Sequence, residues 1–133
     1  MSIANLNSEG ISVDTGNDSI VIVLNTETIP GGRTLDVTGF TPDVIKAGHI
    51  IIEETASKEL KPMPVNAGGT AYDALPANHT YKGVLVASIL KTKPFASILV
   101  RGTVNEVAFQ NGGGFATPAE AKTDLVLIRF TQD

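Results

Sequence analysis

The sequence contains no cysteine and no tryptophan, and aromatic residues make up only 5% of it. Without cysteine there is no disulfide framework and no thiolate zinc site, so stability must come from packing or from partner subunits. With so few rings there is little from which to build a stacking platform for sugars or bases. Positive charge is also scarce: 10 Lys and Arg against 14 Asp and Glu give a formal charge of −4 and a pI near 5.1. Binding a phosphate backbone requires clustered cations that release counterions, so no nucleic-acid partner is expected. Long apolar runs are missing too. Residues 20–24 and 84–87 are the longest, far short of the roughly 20 residues needed to cross a bilayer. Residues 2–16 are polar and lack the basic start and apolar stretch of a secretion signal. These absences predict a soluble chain with no membrane partner.

What is present is a globular composition, 42% apolar and 18% charged over 133 residues, the length of one ordinary domain. Residues 93–109, K-P-F-A-S-I-L-V-R-G-T-V-N-E-V-A-F, carry the clearest pattern. Ala96, Ile98, Val100, Gly102 and Val104 alternate with Ser97, Arg101, Thr103 and Asn105, with Leu99 as the exception, which predicts a strand with one buried face. Pro94 belongs at its entrance, and Gly102 marks a bulge or a close approach of another backbone.

Taken in order, residues 1–18 have no sustained period and predict a flexible arm, leaving residues 19–133 as a single β-rich domain. Residues 20–24, I-V-I-V-L, predict a strand buried on both sides. Leu35, Val37 and Phe40 alternate with polar residues as a half-exposed strand after the Pro30-Gly31-Gly32 turn. Thr41-Pro42 opens one helical turn that Gly48 ends. Ile50-Ile51-Ile52 is a strand leading through Glu53-Glu54 to an exposed hairpin tip, and Pro62 and Pro64 place the returning strand on a sheet edge. Residues 66–70 make a turn, and Tyr72 to Tyr81 form a loop whose rings pack. Gly83 opens an apolar strand over residues 84–90, pairing antiparallel with the 93–109 segment. Thr117 caps a short helix from Pro118 to about Asp124, and Val126, Ile128 and Phe130 alternate in a final strand. The fold class is therefore mainly β: a compact single-domain β-barrel or β-sandwich-like fold with one or two short helices, one near the C-terminus.

The residues hold no catalytic constellation. His49 and His79, the only histidines, lack a partner at metal-ligand spacing. Glu53 and Glu54 are adjacent in a strand and point to opposite faces, which disfavours a shared carboxylate site. Gly31-Gly32-Arg33 and Gly112-Gly113-Gly114 lack the Lys and Ser/Thr of a phosphate loop, and no nucleophile elbow occurs. Asn17-Asp18-Ser19 and Asn78-His79-Thr80 match the glycosylation triplet, which carries no weight without export. No catalytic, cofactor-binding or metal-binding residue is assigned, no cofactor is expected, and the chain is expected not to be an enzyme.

Several segments occur in an informative order: Lys46-Ala47-Gly48 before a strand, Lys61-Pro62-Met63-Pro64-Val65, Tyr81-Lys82-Gly83-Val84-Leu85, Val100-Arg101-Gly102-Thr103-Val104-Asn105, and the closing helix and strand over residues 117–130. In this succession the chain resembles the small head-decoration and head-fibre proteins of tailed bacteriophages. The resemblance implies a protein made in the bacterial host cytoplasm that binds the outer surface of the expanded capsid. It implies the major capsid protein as partner, self-association as a homotrimer, and a role in stabilising the shell or anchoring a head fibre. It also implies an N-terminal segment that orders against the capsid. The alternative is a carbohydrate-binding or adhesive β module displayed on a particle or cell surface.

Overall fold

The computed structural model describes residues 15–132, so most of the arm predicted over residues 1–18 lies outside the described residues. In chain order the elements are α1 (Asp18–Val21), β1 (Ile22–Thr28), β2 (Arg33–Thr34), β3 (Val44–Ile45), β4 (Ile50–Glu54), β5 (Leu60–Pro62), β6 (His79–Leu85), β7 (Ile89–Leu90), β8 (Phe95–Ala96), β9 (Ile98–Asn105), α2 (Glu106–Asn111), α3 (Ala119–Asp124) and β10 (Ile128–Thr131). The protein is mainly β, with a short helix near the C-terminus as the sequence predicts. There are three short helices among the described residues where one or two are predicted.

The main sheet runs β1-β9-β6-β4-β5, and β10 joins it through β9. β1 lies antiparallel along one side of β9. The other side is shared: β6 pairs antiparallel with Ile98 and Leu99, and β10 pairs in parallel from Gly102 to Asn105. A parallel pair needs a crossover, and α2 and α3 supply it. β2 with β8, and β3 with β7, form two small flanking ribbons.

The central strands bury both faces, which explains their near-continuous apolar runs. Ile50 and Ile52 of β4, Val84 of β6, and Leu99 and Val104 of β9 enter one core with Val21, Met63, Phe109 and Ile128. Ile51, Leu85 and Ile98 enter a second core with Leu35, Phe40 and Ile45. Each such side chain, fully buried, contributes about 1.5–3 kcal/mol. The single buried face predicted for residues 93–109 is thus corrected: Leu99 breaks the period because it meets a second layer. A register slip between the Glu27–Arg101 and Thr28–Leu99 pairs makes Val100 an extra residue in β9. One extra residue reverses the alternation, so Val104 faces the same core as Leu99. Gly102 supplies the close approach predicted for it, because a Cβ there would lie 2.2 Å from the Leu24 carbonyl oxygen.

Other expectations fail for local reasons. Residues 20–24 are not a buried strand: Val21 alone is buried, closing α1, while Val23 and Leu24 are each 56% exposed on the edge strand β1. Asp18 belongs to the folded unit, since its carboxylate accepts from the Ser88 N–H (2.8 Å) and hydroxyl (2.7 Å). Leu35 and Phe40 are buried without forming the predicted strand. The Asp36 carboxylate accepts from the Thr38 N–H and hydroxyl, at 3.0 and 2.6 Å, and turns the chain there. The helical turn predicted at Thr41-Pro42 is replaced by β3, where β-branched Val44 and Ile45 pair with β7. The strand predicted over residues 84–90 starts earlier, at His79, and breaks after Leu85. The break is held by Ser88, whose hydroxyl donates to Asp18 and accepts from the Ala47 N–H at 3.0 Å. Tyr81, placed in a loop by the sequence, lies in β6.

At the C-terminal side, β9 ends at Asn105 rather than continuing to Phe109. The Asn105 side-chain oxygen accepts from the Val107 and Ala108 N–H groups, both at 3.1 Å, capping α2. α3 begins at Ala119 with Pro118 at its N-cap and no side-chain cap, so the predicted Thr117 cap and the start at Pro118 are corrected. The final strand is confined to Ile128–Thr131, leaving Val126 79% and Leu127 61% exposed. The expected antiparallel partnership of β6 and β9, and the edge position of β5, are both present.

Candidate functional site

His49 lies between Gly48 and the start of β4, and it is almost wholly buried. Its Nε2 is 2.9 Å from the Met63 carbonyl oxygen, so the neutral ring donates there and keeps Nδ1 as an acceptor. Three rings surround it edge to face: Phe40 at 5.4 Å, Tyr72 at 5.0 Å and Phe115 at 6.0 Å between centroids. Tyr72 in turn lies 6.5 Å from Phe109 in a stacked orientation and 5.1 Å from Phe115. Burial pushes the His49 imidazole down to about 4, against a smaller opposing effect of its bond to Met63. Burial likewise pushes the Tyr72 hydroxyl well above its usual range, while that oxygen accepts from the Ile50 N–H at 3.0 Å. Both groups are therefore uncharged at neutral pH, and they anchor the start of β4 rather than offering a proton donor or nucleophile.

Two of the five phenylalanines and one of the two tyrosines thus meet one histidine, and a third phenylalanine, Phe109, packs on Tyr72 and Phe115 behind them. The scarcity of aromatics in the composition conceals this local concentration. Phe40, His49, Phe109 and Phe115 line a cavity of about 560 Å³. Its mouth is formed by residues 41–44, by Lys46 and by the glycine turns Gly68-Gly69 and Gly113-Gly114. The close packing of the second turn depends on glycine: a Cβ at Gly114 would lie 2.5 Å from the Phe109 ring.

The remaining residues singled out by the sequence are dispersed. His79 opens β6 opposite Glu54, whereas His49 immediately precedes β4, so the length of β4, about 17 Å, separates them. The His79 Nδ1 is 2.8 Å from the Ala77 carbonyl oxygen. Glu53 and Glu54 are engaged by different lysines, Lys82 and Lys61, each at 3.7 Å. Gly32 packs against the Phe95 ring and the Ala96 carbonyl, as a turn rather than a phosphate cradle. Among the described residues, no group of three or more acidic, histidine or cysteine side chains is placed to hold a metal ion. No helix among them is long and apolar enough to cross a membrane.

A carboxylate that the sequence does not single out is the most buried acid in the described chain. Glu106 begins α2, and its Oε1 accepts from Lys122 Nζ and Gln132 Nε2, both at 2.9 Å; Lys122 Nζ is also 2.8 Å from Oε2. Burial alone would raise this carboxyl. The bonds from Lys122, Gln132 and Thr117, together with the Lys122 charge, overcome that effect and hold it below the usual range. The cluster clamps α2, α3 and the end of the chain together.

A second feature is the part of the sheet that the second core leaves bare. On β1, Leu24 pairs with Thr103 and Glu27 with Arg101, and on β10 Arg129 pairs with Thr103. Leu24, Glu27, Arg101 and Arg129 are all exposed, and exposed Leu127 adjoins them through its carbonyl bond to the Gly102 N–H. This end of the sheet presents apolar and charged side chains together, two arginines and the Glu27 carboxylate that stands opposite Arg101. Family models, curated proteins and solved structures yield no match to the chain.

Proposed function

We propose that the protein is a non-enzymatic phage structural protein that binds the outer surface of the expanded capsid, where it stabilises the shell or anchors a head fibre. The major capsid protein is its partner, and it acts as a homotrimer. The observation that carries most weight is the bare sheet face, where Leu24 and Leu127 are 56% and 61% exposed beside Arg101 and Arg129. Large exposed apolar residues grouped on one rigid surface favour protein association over small-molecule chemistry. Arginine is the cation best suited to such a contact, since its planar group pairs bidentately with carboxylates. Avidity then follows from assembly: an oligomer touching several equivalent coat sites holds far more firmly than one protomer.

The test is cosedimentation with expanded shells and with unexpanded precursors of the phage or prophage that carries the gene. Saturable binding to expanded shells alone is expected. Binding to neither form, under conditions where the protein is folded, would remove the capsid role.

A further inference from the structure

We infer that the cavity beside His49 is a binding site for a neutral saccharide, a function separate from attachment through the sheet face. The volume, about 560 Å³, lies inside the range of about 300–1,000 Å³ typical of small-molecule sites. It leaves room for one or two sugar rings. The charged residues of its lining are Lys46 and Asp43, which cancel. A phosphorylated or otherwise strongly anionic ligand would meet only one cation, with a carboxylate on the same rim. A cationic ligand would meet the lysine. The site therefore selects for a neutral molecule.

The polar groups are those that recognise hydroxyls. Lys46 donates, Asp43 accepts, and buried His49 keeps an acceptor nitrogen after donating to Met63. In the two glycine turns at the mouth, the Gly69, Gly113 and Gly114 N–H groups already donate to the Asn66, Gln110 and Phe109 carbonyls, so these turns offer a ligand carbonyl oxygens rather than those amides. Gly69 has open space where a Cβ would stand, and the space above Gly113 is bordered by the Lys46 side chain. Phe115 supplies an apolar wall that is only partly buried and can take the C–H face of a pyranose. A polyol with one apolar face satisfies both kinds of lining, whereas a purely apolar ligand would leave half-buried Lys46 and the acceptor nitrogen of His49 without a partner.

The site is rigid from beneath. His49 is fixed by its bond to Met63 and by its ring neighbours, and Phe109 is fixed by α2 and Gly114. Preorganisation of this kind lowers the ordering cost of binding a weak polar ligand.

The experiment is a titration of the full-length, isotope-labelled protein with glucose, galactose, mannose, N-acetylglucosamine, lactose and cellobiose, followed by amide chemical shifts. Saturable binding by at least one sugar, at affinities around millimolar, is expected, with shifts concentrated at Gly68, Gly69, Gly113 and Gly114. In Asp43→Asn and Lys46→Gln, whose spectra elsewhere should be unchanged, affinity is expected to fall about tenfold, the loss of one hydrogen bond to a charged group. Glucose 6-phosphate should bind no more tightly than glucose. The inference is overturned if none of the sugars saturates, if the shifts map elsewhere, if both variants bind as the wild type does, or if the phosphorylated sugar binds more tightly. Capsid cosedimentation of the two variants should be unaffected, so failure here is distinguishable from failure of the capsid reading.

Discussion

Acidification from pH 7.5 to pH 5 should destabilise the protein through His49 alone to a degree that can be worked out. The folded imidazole lies at about 4, pushed down by burial, whereas the unfolded one titrates near 6.5. Between those values the unfolded chain binds a proton that the folded chain refuses, so stability rises with pH across that window. Above 6.5 the effect is absent. Below that pH stability falls by up to about 1.4 kcal/mol per unit, until the folded ring also protonates near 4. The accumulated loss is about 2 kcal/mol at pH 5 and about 3 kcal/mol once pH passes below 4. Asp36, Glu54 and Glu106, whose carboxyls are held below their usual range, lose their contributions as pH drops below the ordinary carboxylate values, so the interval above about 5 isolates the histidine. Urea unfolding would be followed by circular dichroism at several pH values, for the wild type and for His49→Gln, which keeps an amide donor for the Met63 carbonyl but does not titrate. At pH 5 the wild-type midpoint should fall by about 1 M relative to pH 7.5, more than in the variant. Equal pH dependence in the two proteins would refute the burial argument, whatever their absolute stabilities.

Further outcomes follow from the geometry. Gly83→Ala places a Cβ 2.2 Å from the Leu99 carbonyl oxygen, so β6 and β9 must separate; a loss of about 3 kcal/mol, or roughly 10 °C in Tm, is expected in a thermal melt. Glu106→Ala should cost about 2 kcal/mol in urea unfolding, less than a fully enclosed ion pair, because Lys122 is 38% exposed and can return to water. Asn105→Ala removes the α2 cap and should cost about 1 kcal/mol by the same assay. Leu24→Lys with Leu127→Lys should leave the melting temperature within about 2 °C, since both sites are exposed, while reducing capsid occupancy in cosedimentation; undiminished occupancy would exclude the bare face as the contact.

Sequence periodicity makes β4, β5 and β9 legible because each has a simple local signature: a β-branched run, paired prolines, and alternation. Burial on two sides defeats the same method, since Leu99 or Ile51 can be assigned to a core only when the layer opposite is known. The edge strand β1 is misread for the converse reason, as its apolar residues have no layer over them. α2 does have a signal, Asn105 and Glu106 ahead of Ala108 and Phe109 with glycines following, but the strand pattern before it masks the cap. The cavity is invisible in the sequence, because Phe40, His49, Tyr72, Phe109 and Phe115 come together only through tertiary packing. Asp18 is likewise claimed for the domain by Ser88, a residue far along the chain.

The placement of β1 and β10 on either side of β9 bears on how the chain could be rewired. Ile22 stands opposite Val104, and Phe130 stands opposite the same residue from the other side. The first strand therefore starts, and the last one ends, about 10 Å apart, two strand spacings. Far from this seam, the exposed tip at residues 55–59 could be opened to take an insert without removing a single strand pairing. An insert there would leave the β1–β9–β10 seam untouched and turn a peripheral turn at the other edge of the sheet into an attachment point for cargo.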